Sequence, residues 1–284
     1  MVCYAPIRRL RILLPLFLIS CICFGQKIEY KAVDNKVLEE RLRLAHRDIG
    51  ERYRRLRALF EQTGCSGGDL IEQKVKRSKE PNLICQIGES PNGDAESVPK
   101  KRIIVGAHFD AAGGDGVIDN WTGAILLPSL AEFVREKPRR HTFHFVGFAA
   151  EEKGLLGSQA YLKSLSKAER QQIAAVVTMD SLGLSATKWW PNSSDRDLAV
   201  LAALVARAMN LSFVGLNVDR IGTTDSATFH DAGIPVLSLH SITQGAYHLI
   251  NSPHDVWKSL SWQDYYDTHR FVSALLIYLD EKLP

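Results

Sequence analysis

The chain has 284 residues, 45% of them hydrophobic and 24% charged, the mixture of an ordinary globular protein, which excludes a disordered, collagenous or coiled-coil chain. Its formal charge of +3 is accounted for by Arg8, Arg9 and Arg11, three of 35 basic side chains; without them 32 remain against 32 acids. A neutral body has no general electrostatic reason to bind nucleic acid or an anionic membrane, so no nucleic-acid partner is expected.

Residues 1–25 contain no acid and read as an export signal: the three arginines precede an apolar run from Ile12 to Cys23, and polar sequence follows from Gln26. The run contains Pro15 and falls short of the roughly 20 apolar residues that a membrane-crossing helix needs. Leu18-Ile19-Ser20-Cys21 also fits a bacterial lipoprotein signal, whose cysteine is acylated after cleavage. Membrane attachment through an acylated Cys21 and plain cleavage near Gly25 both fit. The expected location is therefore outside the cytoplasm: periplasmic, membrane-anchored or secreted.

Residues 27–284 read as one domain. Asp34 caps an expected helix whose apolar positions Leu38, Leu42, Ala45, Ile49, Tyr53, Leu56 and Phe60 step by threes and fours to Thr63-Gly64. Its arginines alternate with Glu39, Glu40, Glu51 and Glu61, which reads as a solvated face. In an oxidising compartment Cys65 and Cys85 can pair, or remain two buried thiols. In a hairpin of Leu70–Lys76 with Asn82–Gln86, Cys85 lies opposite residues near Gln73. Cys65 then reaches it only if the turn Ser66-Gly67-Gly68 folds back.

From Arg102 the chain alternates β-branched runs (103–107, 143–148, 175–178, 236–239) with helical ones (122–136, 158–165, 195–209, 262–279). This predicts an α/β domain whose mostly parallel mixed sheet is covered by helices on both faces, with ligands at the carboxyl ends of the strands. Three of those ends carry metal-binding side chains: His108 and Asp110 after the first strand, Glu151-Glu152 after the second, and Asp180 after the third. Asp119-Asn120 follows a glycine-rich loop where a helix begins. Imidazole and carboxylates suit zinc, and a carboxylate can bridge two ions. Of two adjacent acids, one can hold metal while the other serves as a base, and an Asp two residues after a His can orient its imidazole.

These residues resemble a known family, the co-catalytic zinc aminopeptidases of the bacterial leucyl aminopeptidase and glutamate carboxypeptidase type. The likeness spans about Asn82 to Leu279 and rests on Val105-Gly106-Ala107-His108-Phe109-Asp110, Asp119-Asn120-Trp121-Thr122-Gly123-Ala124, Glu151-Glu152-Lys153-Gly154-Leu155-Leu156-Gly157-Ser158 and Met179-Asp180-Ser181-Leu182-Gly183. The resemblance implies a hydrolase that removes N-terminal residues from a peptide substrate. By it, His108 and Asp180 hold one zinc, Glu152 helps hold a second, Asp119 bridges them, Glu151 is the general base and Asp110 orients His108.

One segment departs from the family pattern. The family's last ligand is a histidine, yet in Ile250-Asn251-Ser252-Pro253-His254-Asp255 the gapless register puts Asn251 in its place. An amide oxygen is a poor zinc donor. His254 three residues later, or His248 through an insertion, are the other candidates. Asp225, in Thr224-Asp225-Ser226, reads either as part of a proton network or as a helix cap. Trp121, Trp189 and Trp190 read as pocket rim or as packing. Two other functions remain on the same sequence: a glutaminyl cyclase using one zinc, and a binding module that has lost catalysis along with its last ligand.

Overall fold

The computed structural model describes residues 33–88 and 101–284. The export segment, Cys21 included, lies outside the described residues. Elements follow in chain order as α1 (Asn35–Leu42), α2 (Ile49–Gln62), β1 (Leu70–Gln73), β2 (Asn82–Ile87), β3 (Arg102–His108), α3 (Thr122–Arg135), β4 (Thr142–Phe148), α4 (Leu156–Ser164), α5 (Lys167–Gln171) and β5 (Ile173–Asp180). After these come β6 (Lys188–Trp189), α6 (Arg196–Ala208), β7 (Val214–Gly215), α7 (Ser226–His230), β8 (Val236–His240) and α8 (Trp262–Lys282).

Among the described residues the strands form one mixed eight-stranded sheet in the order β1-β2-β4-β3-β5-β8-β6-β7. The central four, β4, β3, β5 and β8, are mutually parallel, and antiparallel pairs flank them. Both faces are covered, as expected. Along β3, Ile103, Val105 and Ala107 face the core built with α2, α3, α6 and α8, whereas Ile104 joins Tyr161, Leu162 and Phe229 from α4 and α7 on the other face. This period of two, apolar on both sides, is why the central strands read as continuous hydrophobic runs. β4 lies on one side of β3 and β5 on the other, so the chain reverses direction at β3, the place where open α/β sheets bind ligands.

The N-terminal region corrects the expected single helix. The helix stops at Leu42, and a second begins only after Asp48, whose carboxylate accepts from the Glu51 amide at 2.8 Å. The apolar stepping runs through the break because Leu38, Leu42, Leu56 and Phe60 all enter the same core. The solvated reading of the arginines also fails at one position: Arg52 is fully buried.

Cys65 and Cys85 form a disulfide. The hairpin register differs from expectation, with Cys85 opposite Leu70 and Asn82 opposite Gln73. The short 3-10 turn Gly67–Asp69 folds the chain back and brings Cys65 within reach. No helix among the described residues is long and apolar enough to cross a membrane.

Candidate metal centre

Strand β3 delivers His108, with 1% of its surface exposed, to the carboxyl edge of the sheet. Its Nε2 lies 3.1 Å from Asp119 Oδ1 and 3.6 Å from Asp180 Oδ1, and its Nδ1 lies 3.5 Å from Asp110 Oδ1. Asp110 also accepts from the backbone amides of Glu151 and Glu152, at 3.0 and 3.2 Å. The carboxylate beside the imidazole therefore also anchors the turn that carries the two glutamates.

Asp180 ends β5, where it accepts from Thr224 Oγ1 at 2.7 Å and Ser181 Oγ at 3.1 Å. Asn120 joins this strand end to α3: its Nδ2 donates to Met179 O, and its Oδ1 accepts from the Gly123 and Ser181 amides. Glu152 Oε1 accepts from the Ala112 amide at 3.2 Å. Ligand atoms of His108, Glu151 and Asp180 lie within 4.8 Å of one another. Asp119, Glu151, Glu152 and Asp180 line a cavity of about 330 Å³, whose apolar lining includes Trp190, Val218, Ile221, Ile242 and Ile250.

Asn251 lines this cavity with the acids. His248 and His254 are exposed and line no part of it. Of the sequence-predicted residues, the structure thus brings together His108, Asp110, Asp119, Glu151, Glu152, Asp180 and Asn251, and leaves His254 outside. Trp190 meets the cavity, Trp121 is fully buried in the core, and Trp189 is half-buried. Asp225 occupies the cap position of α7, but its side chain makes no capping bond. It is 1% exposed, and neither carboxyl oxygen meets a donor in hydrogen-bonding geometry.

So many buried acids strain the metal-free electrostatics. Burial pushes Glu151 up to about 10, with Asp225, Asp180 and Asp119 adding to the rise against the opposing pull of His108. Burial raises Glu152 to about 7, helped by Asp119, and raises Asp225 to about 7. Burial alone would depress His108, but Glu151, Asp110, Asp119 and Asp180 outweigh it and hold the imidazole well above its ordinary value. Without a cation the cluster must retain protons to limit repulsion. A divalent ion can replace them, and one imidazole among carboxylates is a donor set suited to zinc.

Two buried groups escaped the sequence reading. Asp255, fully buried, accepts from the Ile118 and Asp119 amides at 2.5 and 3.1 Å. Arg52 donates to the carbonyls of Phe109, Asp115 and Gly116 in the same loop. Arg52 was detectable, because it falls on the stripe between Ile49 and Leu56 that faces the core; Asp255 depends on a contact 137 residues away in sequence.

A parallel-centred α/β sheet with a His and carboxylate cluster at its switch point defines a metallohydrolase-type scaffold. Residues 82–276 match the model of Peptidase family M28, and the chain belongs to that family. It is 30% identical to aminopeptidase YwaD of Bacillus subtilis over 137 residues, 46% of this chain, and spans 30% of that relative's length. The LapA aminopeptidase of Legionella pneumophila has the same fold, with a TM-score of 0.73 at 22% identity, covering 88% of this chain and 69% of that one. A glutaminyl cyclase of an Acidobacteriales bacterium also shares it, with a TM-score of 0.71 at 14% identity, over 91% of this chain and 98% of that one.

Proposed function

We propose that the protein is an exported zinc aminopeptidase that removes apolar N-terminal residues from peptides. The observation that carries this reading is one cavity that combines the acid cluster at the carboxyl ends of β3, β4 and β5 with an apolar wall of Trp190, Val218, Ile242 and Ile250. His108, Asp119, Asp180 and Glu152 would hold zinc. Zinc, when bound, supplies a Lewis acid that polarises the scissile carbonyl and acidifies water.

The chain's own groups do the rest. Glu151 removes a proton from the attacking water and returns it to the leaving amine. Asp110 holds the His108 ring. The apolar wall receives the side chain of the N-terminal residue and excludes water around it. The family assignment and the YwaD likeness support peptide hydrolysis, and the Cys65–Cys85 disulfide supports an oxidising location.

The test combines metal analysis of the purified protein with a panel of aminoacyl chromogenic substrates. Zinc and turnover of leucyl and phenylalanyl substrates above aspartyl ones are expected. Glu151→Gln should cut turnover by about 100-fold or more while zinc is retained. Zinc loss in Glu151→Gln would instead make Glu151 a ligand, which its closeness to His108 and Asp180 permits. Ammonia release from glutaminyl peptides without aminopeptidase turnover would identify a cyclase, and zinc-free, inactive protein would identify a binding module.

A further inference from the structure

We propose that Arg52 and Asp255 are a pair of positioning residues that lock the loop from Phe109 to Trp121 from its two sides and so fix the carboxylates of Asp110 and Asp119 at the metal centre. The proposal rests on the zinc peptidase reading above.

The loop carries two of the acids, yet it has no sheet or helix ladder of its own between His108 and Val117. Three of its carbonyls and two of its amides are met by two buried charges far apart in the sequence. On the carbonyl side stands Arg52 of α2, fully buried, with Nε on Phe109 O, Nη1 on Asp115 O at 3.1 Å and Nη2 on Gly116 O at 3.0 Å. Nη1 also reaches His46 O at 3.3 Å, and the guanidinium lies 5.0 Å from the centre of the Trp121 ring. Each of these acceptors is a main-chain carbonyl. A planar fork bound to Phe109 at the start of the loop and to Asp115-Gly116 midway along it sets the distance between them, which a single ammonium cannot do. Burial lowers the guanidinium to about 10, against the opposing pull of Asp110, Asp255, Asp119 and Glu152.

On the amide side stands Asp255, fully buried, one oxygen on the Ile118 amide and the other on that of Asp119. A carboxylate accepting from two consecutive amides fixes the peptide plane from which the Asp119 side chain springs. Asp255 belongs to the segment that brings Asn251 to the cavity, and that segment lies against the same loop. A side chain at Gly113 would meet Asn251 O at 2.7 Å, and one at Gly114, where φ is +61°, would clash with Ser252 O. The pair therefore ties α2 and the C-terminal loop to one metal ligand.

Arg52→Lys and Asp255→Asn test the pair in the full chain, with zinc affinity read by competition against a chelator and folding read by circular dichroism and Tm. Asp280→Asn is the matched control. Asp280 also accepts from two consecutive amides, Arg140 and His141, but ahead of β4, at the opposite end of the sheet from the acids. The expected result is a 10- to 100-fold loss of zinc affinity, with a fall in kcat, in the two loop variants, and unchanged affinity in Asp280→Asn even where its Tm falls as far. Wild-type affinity in either folded loop variant overturns the proposal, as does an equal loss in the control. A wild type that binds zinc but cleaves no aminoacyl substrate overturns the proposed function and leaves the pair standing; one that binds no zinc overturns both.

Discussion

Asn251 lines the cavity from a left-handed backbone conformation, φ 53°, in company with a cluster of carboxylates around one imidazole. A neutral imidazole at that position would add a strong zinc donor without adding charge. Histidine, like asparagine, is among the residues that tolerate this region of backbone space. Asn251→His should therefore raise bound zinc per chain, measured by metal analysis after gel filtration. Unchanged stoichiometry would mean that Asn251 does not face an ion. The exposed position of His254 makes the complementary expectation: His254→Ala should leave zinc content as it is.

Helix α8 carries the clearest pH dependence outside the metal centre. His269 is 1% exposed, its Nε2 finds no partner, and burial, reinforced by Arg41, lowers it to about 4. An unfolded imidazole takes its proton near pH 6.5, so between 6.5 and 4 the unfolded chain holds more protons. Stability from this group is complete above pH 6.5 and is lost as pH falls toward 4, by on the order of 3 kcal/mol. His269→Leu should flatten the fall of Tm across that window; an unaltered slope would assign the acid limb to other groups.

The parallel strands read clearly because burial on both faces leaves only apolar side chains, and their ends betrayed the acids. The break between α1 and α2 was hidden because both helices face one core and keep one periodicity. Asp48-Ile49-Gly50-Glu51 did contain the capping signal. The convergence of Asp255 on Asp119 was beyond reach, since amide acceptors leave no spacing pattern in a sequence.

The acid cluster couples folding to the binding of a cation. Buried carboxylates that repel one another lower the stability of the metal-free chain at neutral pH, and a cation removes that penalty. Chelation at pH 7 should therefore lower Tm. Saturation a thousandfold above Kd is worth about 4 kcal/mol, which for a chain of this length corresponds to on the order of 10 °C. Equal Tm with and without chelator would mean that protons alone neutralise the site.

The Cys65–Cys85 bond encloses β1 and the exposed turn at Lys76–Arg77, where basic side chains offer an obvious cleavage point to neighbouring proteases. A single cut in that turn would leave the two fragments covalently joined. The helix bearing Arg52 would stay attached to the sheet it braces, so the molecule could be nicked in a protease-rich setting without shedding a part its metal centre depends on.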